Sequence, residues 1–206
     1  MTITLYQHPL SGHSHRVRLF LSLLGKDASI IDVDLLAGAH KNAEFLAKNP
    51  LGQVPVIEDG EVTLADSNGI LVYLAERYDT SGDWYPKTPL ARAEVQRYLS
   101  IAAGQIASGP AAARLVNVFG ATLDHERAKT IAGSILLALD QHLATRQWLV
   151  GEQPTIADVA NYAYIAHAPE GDVSLDAYAN VRTWLARISD PPGFVPMVKT
   201  EVGLAA

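Results

Sequence analysis

The residues from Asn49 to Ser67, NPLGQVPVIEDGEVTLADS, have the types and spacing to hold a peptide-like anion. A Pro/Gly turn leads into a short apolar strand at Val54-Pro55-Val56-Ile57. Proline cannot donate to a sheet ladder, so Pro55, placed straight after a turn, is a candidate cis peptide. Such a bend leaves the N–H and C=O of Val54 without a neighbouring strand and open to the backbone of a ligand. The chain turns at Asp59-Gly60, runs a second strand through Val62 and Leu64, and reaches Asp66-Ser67 at the mouth of a helix. A helix N-terminus presents orphan N–H groups and partial positive charge, which together favour an anion.

What the chain lacks bounds the rest of its chemistry. It has no cysteine, which excludes disulfides, thiolate metal sites and a nucleophilic thiol of its own. Any thiol chemistry needs a sulfur brought in on a ligand. His8, His13 and His15 cluster in the first loop and helix start, a grouping that invites a metal reading. No carboxylate lies among them, and helix geometry sets His13 and His15 on different faces. A solvated loop is the simpler reading, and no metal is expected. There is no GxGxxG, P-loop, G-x-S-x-G or HExxH, so dinucleotide, nucleotide, serine-hydrolase and zincin chemistry have no motif to rest on.

The elements that must position these residues follow from periodicity. Ile3–Tyr6 reads as a buried strand, and Ser14–Leu24 as a helix with Val17, Phe20 and Leu24 on one stripe, stopped by Gly25. Ala28–Leu35 is a second strand, a short helix lies near Ala43–Lys48, the hairpin follows, and a helix runs from Ser67 to about Tyr78. The order is βαβαββα, in which strand-helix-strand implies a parallel pair and the hairpin an antiparallel one. Asp79–Pro89, DTSGDWYPKTP, is a turn-rich linker. Everything after it reads as helix: Leu90–Ile106, a break at Ser108-Gly109-Pro110, Ala111–Phe119, Asp124–Leu143, a helix to about His167 opened by the capping-box-like Thr155-Ile-Ala-Asp158, and Val181–Ile188.

Composition agrees with a filled core: 206 residues, 49% hydrophobic and 18% charged, fit one large or two small domains. A formal charge of −6 argues against nucleic acid or an anionic membrane as partner. No apolar run reaches the ~20 residues of a membrane span, and MTITLYQHPL lacks the pattern of a secretory signal. A cytoplasmic protein is the expectation.

These residues, in this order, resemble the cytosolic glutathione S-transferases. The resemblance covers nearly the whole chain, through LYQHPLSGHSHRVRL, NPLGQVPVIEDG, LADSNGILVYLAERY and the Thr155–Asp158 box. It implies a thioredoxin-like domain over residues 1–79, a linker over 80–89, and an all-helical bundle domain over 90–206, paired into a homodimer. It implies glutathione in the first domain and an apolar electrophile between the two. The closest match is to serine-type members, theta-like and bacterial, in which a serine just after the first strand activates the thiol.

By that resemblance Ser11 is the catalytic residue. It is not a nucleophile: its hydroxyl donates to the glutathione sulfur and stabilises the thiolate. A hydrogen bond to a charged group is worth about 1.5–3 kcal/mol, enough to lower a thiol pKa of about 8.5 by roughly one to two. The helix N-terminus helps in the same direction. Ser14, read as the helix cap, and Tyr6, at the end of the first strand, are the competing hydroxyls. The resemblance gives Asp66 the ammonium and Ser67 the α-carboxylate of the γ-glutamyl group, and gives Val54, before Pro55, the cysteinyl backbone. At the glycine end family members carry Lys or His where Gln53 stands without charge, and His40 or Lys41 is placed to compensate. His13 is a candidate neighbour of the thiol, and Gln105 a candidate contact across the dimer. Leu10, Ile106, Val116 and Phe119 are candidates for the electrophile site. The rival readings are a non-catalytic binding protein that kept the fold, and a glutathione-dependent isomerase, dehalogenase or peroxidase.

Overall fold

The computed structural model describes residues 2–201 and divides them into two compact units. The first, formed mainly by the residues up to Thr80, is built on a four-stranded sheet of order β2-β1-β3-β4. β1 (Ile3–Gln7) lies parallel to β2 (Ala28–Asp32) and antiparallel to β3 (Val56–Asp59), which pairs with β4 (Val62–Ala65) across the Asp59-Gly60 turn. Successive side chains of a strand face opposite ways, and both faces of β1 are used. Leu5 pairs with Ile57 in the fully buried core, while Tyr6 pairs with Val56 and joins Val33 and Phe45 in a second cluster. Phe45 comes from α2 (Ala43–Lys48), capped by Asn42 through its bond from Phe45 N at 2.8 Å.

Two helices complete the unit: α1 (Gly12–Leu23) and α3 (Ser67–Tyr78), which pack on one another. Each buries an apolar stripe, Val17, Phe20 and Leu21 on α1 and Ile70, Leu71 and Leu74 on α3. Burying such side chains at about 25 cal/mol per Å² is what holds a helix of this length on a sheet. The βαβαββα order is as expected, with shifted bounds. α1 opens at Gly12, two residues before Ser14. β2 ends at Asp32, although Val33 N still donates to Gln7 O at 2.7 Å before the chain turns away. β3 begins at Val56, since Pro55 has no N–H for the ladder.

One segment gave no sign of itself in the sequence. Residues Pro192–Val198 belong to the first unit. The buried His15 on α1 donates from Nε2 to Val195 O at 2.8 Å, and Gly193, at φ 94°, lies so close that an added Cβ would stand 3.1 Å from Ser22 O.

The second unit is helical. α4 (Pro89–Ala103) starts with Thr88 as cap and Pro89 in its first turn, where a missing N–H costs nothing. The expected break at Ser108-Gly109-Pro110 is a π-helical turn, Ala107–Ala111, that leads directly into α5 (Ala112–Phe119). The wider turn accommodates the N–H that Pro110 lacks. Gly109 has its own reason: an added Cβ would lie 2.9 Å from the Ala132 nitrogen on α6 (His125–Leu143). α7 (Ile156–Ala166) is buried on every side through Ile165, and α8 (Ala179–Ser189) packs on it and on α6. Among the described residues no helix is long and apolar enough to cross a membrane.

The first residues after α7 carry a buried charge cluster. Glu170 accepts from Arg114 Nε at 2.6 Å, from His167 Nδ1 at 2.6 Å and from the Thr200 hydroxyl at 2.6 Å. Burial disfavours its ionised form, but the bonds from Thr200, His167 and Arg114 outweigh it and hold the carboxyl at about 2, against an ordinary 4.5. Burial likewise lowers His167, against the pull of Glu170. A depressed carboxyl contributes stability that is present above its unfolded pKa and lost as pH falls toward the folded one. Between pH 4.5 and 2 the wild type is therefore expected to lose about 3 kcal/mol through Glu170. Urea melts across that window should show Glu170→Gln, already weaker at neutral pH, declining less steeply than wild type. Parallel curves would remove Glu170 from the acid response.

Candidate functional site

Three structural features of the first unit bring the predicted residues together: the N-termini of α1 and α3, and the loop that enters β3. At α1, Ser11 is the cap. Its Oγ accepts from Ser14 N at 3.2 Å, in extended backbone (φ −88°, ψ 117°). The oxygen is thus used as an acceptor inward, and the half-buried hydroxyl keeps its proton for a partner outside. The dipole of the whole helix α1 points its positive end at the same place.

The two competing hydroxyls are accounted for elsewhere. Ser14 is not the cap expected from the sequence: it lies in the first turn, fully buried, and its Oγ accepts from His8 N at 3.2 Å. Tyr6 points away from the role of thiol activator. Its hydroxyl donates to Glu58 at 2.8 Å, its ring meets Phe45 edge-on, and Lys48, itself paired with Glu58, lies 4.9 Å over the ring. Burial and the Glu58 carboxylate raise its pKa, so it is a poor source of a proton or a phenolate. The three histidines separate in the same way. His8 Nδ1 accepts from Leu10 N, His13 Nδ1 meets Ser67 Oγ, and His15 Nε2 donates to Val195 O.

At α3 the cap is Asp66, whose Oδ1 accepts from Gly69 N at 2.8 Å. Its backbone sits at φ 71°, ψ 116°, where a residue other than glycine is rare. Strain of this kind, of order 1–3 kcal/mol, is retained where a site needs it. It leaves the Asp66 side chain exposed at the helix mouth, one residue before the buried Ser67. Ser67 Oγ accepts from Arg16 Nη1 at 3.1 Å and lies 3.3 Å from His13 Nδ1, and the same Arg16 nitrogen donates to Asn68 Oδ1 at 2.6 Å. Arg16, 1% exposed, thus sets a buried positive charge behind the N-terminus of α3. Burial, helped by the nearby Arg16 charge, pushes His13 down to about 3, so its imidazole is neutral throughout the physiological range.

In the third feature the Val54–Pro55 peptide bond is cis. The ladder registers of β3 start at Val56, so the main chain of Val54 lies beyond the paired strand. The turn before it is tied from two sides. Buried Asn49 donates to Gln53 O at 2.8 Å, and Lys41 Nζ donates to Leu51 O and Gly52 O, each at 3.2 Å. Gly52 is required here: it has φ 59°, and a Cβ would stand 2.7 Å from His40 O. Gln53 is exposed, and His40, whose Nδ1 is buried with no hydrogen-bond partner among the described residues, sits on the neighbouring turn Ala39–Lys41. An ammonium therefore flanks the position where Gln53 brings no charge.

The residues expected to line an electrophile site fare unevenly. Leu10, beside Ser11, and Val116 are half-buried, and Phe119 is 40% exposed, with the Arg114 guanidinium 5.9 Å from its ring. Ile106 is wholly buried, which runs against the sequence expectation, since it presents no surface to a ligand. Gln105 is exposed just past α4. Sequence reasoning missed Arg16 and Asn49. Arg16 had a signal, since it falls four residues before Phe20 and so on the buried side of α1.

Two family models match the chain: the N-terminal domain of glutathione S-transferase over residues 1–76, and its C-terminal domain over residues 120–192. Human glutathione S-transferase theta-2 is 35% identical over 167 residues, covering 77% of this chain and 68% of the relative. A maleylacetoacetate isomerase of Rhizobium meliloti is 35% identical over 182 residues, 84% of each chain. Among solved structures, a glutathione S-transferase from Pseudomonas fluorescens superposes with a TM-score of 0.90 at 29% identity, covering 97% of this chain and all of that one.

Proposed function

Since the chain belongs to the glutathione S-transferase family, we propose a serine-type mechanism in which Ser11 holds the sulfur of glutathione as thiolate, and the thiolate attacks an apolar electrophile. The observation that carries this reading is the capping geometry at Ser11. With its oxygen accepting from Ser14 N, the hydroxyl has one proton to give and the positive end of α1 behind it. The protein's contribution is orientation and charge stabilisation at the sulfur, not covalent chemistry. The sulfur's electron pair forms the new C–S bond; in a substitution the leaving group departs with the electron pair of its bond, and in an addition the displaced π pair takes up a proton.

The remaining assignments follow the ligand. The γ-glutamyl carboxylate meets the N-terminus of α3 and Ser67, its ammonium meets Asp66, and the cysteinyl backbone pairs with Val54 like an added strand. At the glycine end Lys41 supplies the charge that Gln53 lacks, with His40 beside it. In this reading the protein acts as a homodimer, with exposed Gln105 offered to the partner's ligand, while Leu10, beside Ser11, meets the electrophile. Similarity to an isomerase favours one second reading: the same thiolate adds to a conjugated double bond, the single bond left behind rotates, and the thiolate is expelled unchanged.

Calorimetric titration tests the assignment of the site. Wild type is expected to bind glutathione more tightly than γ-glutamylcysteine, which lacks the glycine. Lys41→Ala should lose about tenfold for glutathione and little for γ-glutamylcysteine. Equal losses for both ligands would move the glycine carboxylate away from Lys41, and a wild type that binds no glutathione at millimolar concentration would overturn the reading as a whole.

A further inference from the structure

Ser67 Oγ sits between two nitrogens, Arg16 Nη1 at 3.1 Å and His13 Nδ1 at 3.3 Å. A serine hydroxyl accepts two hydrogen bonds and donates one. Arg16 has only protons to give, so it takes one acceptor position. The role of His13 then depends on its tautomer. With the proton on Nε2, Nδ1 accepts, and the single Ser67 proton is drawn inward to the imidazole. With the proton on Nδ1, His13 donates, both acceptor positions on the oxygen are filled, and the hydroxyl proton turns outward. Only the second arrangement lets Ser67 donate to a carboxylate at the mouth of α3.

We propose that His13 is a positioning residue for the γ-glutamyl carboxylate, donating from Nδ1 to Ser67 Oγ so that the serine proton is directed at the ligand. The inference rests on the glutathione site proposed above and adds to it a residue outside that contact set. It also assigns a purpose to a pairing that links the first turn of α1 to the first residue of α3. The imidazole does this work as a neutral donor: its pKa of about 3 keeps it from ionising between pH 5 and 8. His13 therefore makes binding depend on ligand chemistry and not on pH in that range.

The test is a set of binding measurements by calorimetry with two probes: glutathione, and its analogue in which the γ-glutamyl residue is replaced by γ-aminobutyryl, which removes the α-carboxylate and keeps the ammonium. His13→Leu, which cannot donate, is expected to weaken glutathione about tenfold and to leave the analogue unchanged. His13→Asn puts an amide nitrogen near the position of Nδ1 and should recover most of the loss, which a purely packing role would not predict. In a Ser67→Ala background His13→Leu should have no further effect on glutathione. Full-strength glutathione binding by His13→Leu, an undiminished effect without Ser67, or equal weakening of both probes would each overturn the proposal while leaving the glutathione site intact. A wild type that binds neither probe would overturn both.

Discussion

Ser11→Ala is expected to slow thiol transfer to a generic aromatic electrophile by roughly 10- to 100-fold near neutral pH, the loss of one hydrogen bond to a charged sulfur. The size depends on pH in a definite direction. A donor to the thiolate lowers the thiol pKa of bound glutathione by roughly one to two from about 8.5. Without it the thiol returns toward its free value, so the deficit is largest below neutrality and shrinks as pH rises past about 8.5, where thiolate forms unaided. Ultraviolet absorbance of the bound thiolate reads the same titration without turnover. Ser11 is also the cap of α1, so the variant should lose about 1 kcal/mol of stability as well. Ser11→Asp separates the two roles: a carboxylate still accepts from Ser14 N and preserves the helix, yet it has no proton to give and repels the thiolate. It should be as stable as wild type and no more active than Ser11→Ala. If the thiol titration of bound glutathione does not move in Ser11→Ala, the activating group is not this hydroxyl.

The second large effect concerns stability. Asp158 is 1% exposed and accepts four hydrogen bonds: Leu149 N at 3.0 Å and Trp184 Nε1 at 2.9 Å on Oδ1, Thr155 N at 2.9 Å and the Thr155 hydroxyl at 3.3 Å on Oδ2. It closes the capping box of α7, fastens the loop before that helix, and holds the indole of Trp184 on α8. Asp158→Ala leaves several buried donors without an acceptor, at about 1–3 kcal/mol each. Partial relaxation of the site brings the expected total to about 3–5 kcal/mol. That is a large share of the about 5–15 kcal/mol that holds a typical protein folded. Urea unfolding followed by tryptophan fluorescence measures it. Asp158→Asn is not a rescue, because its amide N–H₂ would face the Thr155 N–H, donor against donor. A loss below about 1 kcal/mol would mean that water replaces the carboxylate, which the burial of the site argues against.

The element order was legible in the sequence because period and punctuation agree in it. Ile3, Leu5 and the hairpin around Asp59-Gly60 alternate as strands, Val17, Phe20 and Leu24 recur as a helix, and no local preference contradicts the fold. The error at Ser14 has a simple source. Two serines three residues apart both suit a cap, and only the path of the chain out of β1 decides which one stands outside the helix. Tyr6 and Ile106 were ambiguous for a related reason: the type of a side chain does not say which wall it meets. Arg16 carries a charge that sequence patterning assigns to solvent, although its spacing from Phe20 pointed inward.

By itself the sequence determined which groups the protein possesses: no thiol, an uncharged Gln53 before the Val54-Pro55 bend, a proline where a strand begins, and Asp66-Ser67 at the mouth of a helix. It also determined the elements that carry them, since hydrophobic period and turn residues are local properties. The tertiary structure alone decided what each group touches. It put Ser11 at the cap and Ser14 inside, gave the Tyr6 hydroxyl to Glu58, brought Lys41 to the turn before Gln53, and set His13 and Arg16 on one serine 54 and 51 residues away along the chain. Hydrogen bonds act over about 3 Å, and no spacing in a sequence states which distant residues will come within that reach.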